Sequence, residues 1–134
     1  MKTQTAALFG ILVLALAAPL LAHHSFAAEF DGKQRIQLTG IVTKVEWTNP
    51  HVWFYVNVQD EASGKQVNWA AEMGSPNALQ REGWTRNTMK VGMVVTFNGS
   101  RAKDGSNRVN TSSVSVDGKK LGAASSEGPR GEQP

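Results

Sequence analysis

A chain of 134 residues without a single cysteine allows one domain and excludes thiol catalysis, thiolate metal sites and disulfide cross-links. Its formal net charge is only +3, and the charges are scattered, so nucleic acid is not an expected partner.

The first predicted element is a leader. Lys2 gives a positive start, residues 6–21 are uncharged and rich in Ala and Leu, Pro19 breaks the run, and the small residue Ala22 follows. That order is the order of a secretory signal peptide. The apolar run is short for a membrane span. Cleavage is expected after Ala22, which makes residues 1–22 the signal peptide and His23 the first mature residue. A cut after Ala27 competes, because Ser25 and Ala27 also satisfy the small-residue rule. The expected location is outside the cytoplasm, with no membrane span after cleavage.

Residues 23–34 read as an N-terminal arm, and residues 35–118 as the folded domain. Residues 35–47 form a long strand interrupted by Gly40, the mark of a bulge or bend. Residues 52–60 alternate, with Val52, Phe54, Val56 and Val58 on one face and Trp53, Tyr55, Asn57 and Gln59 on the other. Ser63-Gly64 turns the chain into a return strand over residues 66–72, with Val67, Trp69 and Ala71 facing inward. Ser75 is placed to cap a short helix opened by Pro76 and ended by Gly83. Strands over residues 91–102 and 108–116 follow, joined by the turn Asp104-Gly105-Ser106-Asn107. The order β-β-β-α-β-β predicts an all-β domain with one short helix, a small five-stranded Greek-key barrel of the OB type. Residues 119–134 carry Gly, Ser, Pro and Glu and read as a disordered tail.

Three constellations carry chemistry. Cleavage after Ala22 would expose His23-His24 at a free chain end. An α-amino group, the following amide nitrogen and the ring of a histidine in second place can clamp Cu(II) in a tetragonal arrangement. Alternatively His23 binds through its own amine and ring, opposite a second histidine. His51 completes the histidines of the chain, so His23, His24 and His51 form a candidate metal set, with Cu(II) as the expected ion. The competing reading makes His23-His24 a polar chain end and nothing more.

The second constellation is Trp47-Thr48-Asn49-Pro50-His51-Val52-Trp53. Asn-Pro marks a corner between two strands, and His51 re-enters the next strand between indoles, either as a ligand or as part of a structural corner. The third is the aromatic surplus on the outer face of the second strand. Trp47, Asn49, Trp53 and Tyr55 are the candidate ligand face for an oligosaccharide, a peptide or another polymer. Glu46 and Glu72 end strands, yet no nucleophile, base and orienter assemble around them, and Ser75 lacks a nucleophile context. No catalytic residue is assigned, and the expected role is a non-catalytic binding module. Its expected partner is a small ligand, a metal ion or an exported protein, and its expected state is a monomer.

The segments HHSFAAEFD, GIVTKVEWTNPHVWFYVNV, EMGSPNALQREGW and RAKDGSNR together resemble a family of small exported bacterial proteins known only as a domain of unknown function. The resemblance implies a periplasmic OB-like β-barrel in which the His-His start and the Asn-Pro-His corner belong to the pattern. It supplies no activity, cofactor or catalytic residue.

Overall fold

The computed structural model describes residues 26–127. Six strands and one short helix follow one another: β1 (Phe30–Glu46), β2 (Trp53–Gln59), β3 (Gln66–Glu72), α1 (Pro76–Arg81), β4 (Val94–Ala102), β5 (Arg108–Val116) and β6 (Lys119–Gly122). The sheet order is β3-β2-β1-β4-β5-β6, and a parallel pairing of β3 with β5 closes the first five into a ring. The closing contact is short, three residues of β3 from Ala70 to Glu72 against Arg108 to Asn110 of β5, and it covers the edge there. The helix stands between β3 and β4, as the OB-like reading requires.

The seventeen-residue β1 makes this closure possible by serving both neighbours. Its first part pairs with β4 up to Ile41↔Val94, and its last part pairs with β2 from Ile41↔Asn57. A register shift between Val42 and Lys44 bends it toward β2. Gly40 sits just before that bend. A β-carbon there would lie 2.2 Å from the Asn57 carbonyl oxygen, so only glycine lets the two strands approach.

The alternation in β2 does what its period predicts. Val52, Phe54 and Val56 are fully buried, and the Phe54 ring meets Phe97 of β4 edge-on at 5.3 Å. The side-chain oxygen of Ser75 accepts from the Ala78 amide and caps α1, which drives Leu79 into one end of the ring. Trp84 follows as one of the largest fully buried side chains, its indole Nε1 donating to the Gly122 carbonyl at 2.7 Å. Trp69 shares its face with Val56 but is half-buried, with the Arg101 guanidinium over its ring at 5.3 Å.

Both ends of the domain differ from the sequence reading. The strand expected from residue 35 begins at Phe30, and residues 26–29 form a helical turn before it. Phe26 and Phe30 stack at 5.9 Å and form a small cluster with Ala102, so part of the predicted arm is domain. The predicted tail likewise begins as structure. Asp117 and Gly118 both adopt positive φ, 50° and 75°, and return the chain as β6 against β5. Leu121 and Ala123 are buried there, and that burial holds a segment whose average composition is polar. The fourth strand starts at Val94, because Gly92, at φ 92°, belongs to the turn before it.

Candidate functional site

The Asn-Pro-His corner joins β1 to β2 at the end of the ring where β3 stops. The Asn49–Pro50 peptide is cis. Just past it, the Val52 amide donates to the Gly74 carbonyl at 2.9 Å, and the Met73 amide donates back to Val52 at 2.8 Å. These two bonds fix the chain just after His51 and just after Glu72. The hairpin register places Glu72 opposite Trp53, two residues beyond His51.

The result is a histidine–carboxylate pair: His51 Nδ1 is hydrogen-bonded to Glu72 Oε1. The Glu72 side chain is 8% exposed and the His51 side chain 37%, so the carboxylate is anchored and the ring opens to solvent. With an ionised Glu72 accepting from Nδ1–H, the neutral ring carries its lone pair on Nε2. A carboxylate that holds one ring nitrogen and aims the other outward is the usual support of a metal-ligating histidine.

Burial lifts the Glu72 carboxyl above its ordinary value. The charge and hydrogen bond of His51 pull it down, Glu29 adds to the rise, and Arg108 opposes it, with the net effect upward. A carboxyl whose folded pKa is raised favours the fold while protonated, and that contribution fades as pH rises through the raised value. Wild-type stability should therefore fall relative to Glu72→Gln as pH is taken from about 4 to about 7. Urea midpoints across that range measure it, and parallel curves for the two proteins would contradict the assignment.

Glu29 and Arg108 bring the start of the described chain to this corner. Both act electrostatically on Glu72, Arg108 Nη1 stands 3.9 Å from Glu29 Oε2, and the Arg108 guanidinium lies 5.8 Å from the Phe30 ring. The arm is tied down again by the Lys103 amide, which donates to the Glu29 carbonyl at 2.9 Å, and by Lys103 Nζ on the Ala27 carbonyl. His23 and His24 lie outside the described residues. Among the described residues no group of three His, Asp or Glu side chains is arranged to hold a metal ion, so a metal at His51 needs further donors.

The aromatic face is less open than its sequence suggests. Trp47 and Trp53 are half-buried, and Trp47 packs against the core. Lys44 Nζ lies 5.4 Å from the centroid of the Tyr55 ring, forms a 2.5 Å ion pair with Glu46, and so covers a surface that stacking would need. The Tyr55 hydroxyl donates to Glu46 at 3.2 Å. Asn49 is exposed at the corner. Glu46 and Glu72 flank β2 from opposite sides, and each is engaged by a different partner.

The residue missed from the sequence as a partner of His51 is Glu72. A signal for it existed: counting back from the Ser63-Gly64 turn pairs Gln59 with Gln66 and so Trp53 with Glu72. Trp84, assigned no role from the sequence, is a core residue.

A family model described as a family of unknown function matches residues 11–111. The chain belongs to that family, DUF6152. No match is found among curated proteins. Among solved structures, a ZRD-deleted mutant of TiaS in complex with agmatine is similar at a TM-score of 0.44 and 23% identity. That similarity covers 64% of this chain and 22% of TiaS, so the chain spans less than a quarter of that protein. Among the described residues, no helix is long and apolar enough to cross a membrane.

Proposed function

We propose that this DUF6152 chain is an exported, non-catalytic binding module that holds a divalent transition metal, copper first. In this reading the leader is removed after Ala22, and the ion is shared between the new chain end at His23-His24 and the ring of His51. Nitrogen donors in a tetragonal set suit Cu(II). The observation that carries the reading is the His51–Glu72 pair, in which a buried carboxylate holds Nδ1 of a half-exposed ring and leaves Nε2 as the nitrogen a metal would use.

Two further features support it. Glu29, six residues beyond His23, already lies close enough to Glu72 to act on its charge. Residues 26–29 are helical, so the reading asks residues 23–25 to cover the remaining path, roughly 10 Å at about 3.3 Å per extended residue. Phe26, buried against Phe30 and Ala102, would be lost by a cut after Ala27, which favours the earlier cut. Polymer binding across Trp53 and Tyr55 has less support, because Lys44 and Glu46 occupy the Tyr55 surface.

Copper titration of the exported protein, compared with His51→Ala, tests the reading. Loss of one imidazole should weaken Cu(II) binding by at least about a hundredfold. Equal affinities would remove His51 from the site, and an exported protein that begins at Ala28 would end the proposal.

A further inference from the structure

A second polar site lies on other strands, around Arg35. β1 shifts register between Asp31 and Arg35, which sets Arg35 opposite Ser100 of β4. The guanidinium is then held by hydroxyls on two strands: Nη1 donates to Ser100 Oγ at 2.7 Å and Nη2 to Ser112 Oγ at 2.8 Å. Ser112 Oγ donates onward to the Asn98 carbonyl at 3.1 Å, and Ser100 is fully buried. The guanidinium is therefore oriented by the ring itself.

This cradle already receives a carboxylate. Glu127 Oε2 accepts from Arg35 Nη1 at 2.8 Å and from Ser100 Oγ at 3.2 Å. Glu127 arrives on a clip built on the buried Asn110: Ser125 Oγ donates to Asn110 Oδ1 at 2.5 Å, and Asn110 Nδ2 donates to Ser126 Oγ at 2.9 Å. Beside the cradle is a cavity of about 360 Å³ lined by Arg35, Ile36, Gln37, Asn98, Ser112, Ser113 and Lys120. Among the described residues its lining holds two cations, amide and hydroxyl groups, one apolar side chain and no carboxylate.

From these observations we infer that the Arg35 cradle and its cavity form a binding site for a small dicarboxylate, with Glu127 as the intramolecular occupant of one carboxylate position. One carboxylate of the ligand takes the place of Glu127 on Arg35 and Ser100. The other reaches Lys120 across Gln37, Asn98 and Ser113, whose polar ends suit hydroxyl groups between. An Arg is suited to this role because its planar fork spreads its bonds to two serines and a carboxylate over two nitrogens in fixed directions, where a Lys must make all of them from one ammonium. The clip makes Glu127 a competitor at an effective concentration in the millimolar range, so ligand affinity in the intact chain is reduced by the fraction of time the cradle is filled.

Calorimetric titration of malate into the full chain and into Glu127→Gln tests the inference. Glu127→Gln should bind malate about tenfold more tightly, Arg35→Lys should lose that binding, and Lys120→Gln should weaken it by about tenfold. Glu127→Gln binding no tighter than the wild type would show that the clip is purely structural and overturn the proposal. If Arg35→Lys does not fold, the exposed Lys120 decides: unchanged affinity in Lys120→Gln overturns the dicarboxylate assignment.

Discussion

Replacing Gly40 by alanine is expected to destabilise the domain by about 3 kcal/mol or more, at the upper end of what an overpacked position costs. The reason is the nature of the obstacle. The added β-carbon would lie 2.2 Å from the Asn57 carbonyl oxygen, 2.9 Å from its carbon and 2.7 Å from Val56 Cγ1. Two of these three atoms are backbone of β2, so no rotamer change relieves the clash. β1 and β2 must move apart where their pairing begins, at Ile41↔Asn57. A small domain has roughly 5–15 kcal/mol in total, so this one methyl group consumes a large share. Gly64→Ala is the control. It has positive φ, 69°, but open space around it, and its cost should stay near about 1 kcal/mol. Chemical denaturation of the two variants separates crowding from backbone strain, and equal losses would contradict this account of the β1 bend.

Glu72→Ala is expected to weaken copper binding by about ten- to a hundredfold, the usual cost of losing the group that orients a histidine ligand. The ring of His51 would keep its lone pair but lose its fixed tautomer and direction. Glu72→Gln should recover much of the affinity, because its side-chain carbonyl still accepts from Nδ1–H. This split between the two variants distinguishes an orienting role from a merely structural one. If both bind copper as the wild type does, Glu72 supports no ligand.

Much of the fold was legible because local signals agree with one another. The period of two in β2, the Ser75-Pro76 helix start and the turn residues all point to one order of elements, and the ring confirms it. The two ends were not legible, for different reasons. Residues 119–127 have a polar average that hides Leu121 and Ala123, two side chains that the Asp117-Gly118 turn delivers to the core. Phe26 and Phe30 gain their burial from Ala102, far away in the sequence. The site was half legible. His51 announces itself between two tryptophans, but its acid partner lies 21 residues away and emerges only when the hairpin register is counted out. The Arg35 cradle left no local trace, because its members come from β1, β4, β5 and the tail.

The shared coordination of one ion by the chain end and His51 is tested most directly by electron spin-echo envelope modulation of Cu(II) on the exported protein. The remote nitrogen of each bound imidazole modulates the echo. Modulation from more than one imidazole is expected, with one contribution lost in His51→Ala. Identical modulation in the two proteins would show that His51 never reaches the metal, and would contradict the shared coordination.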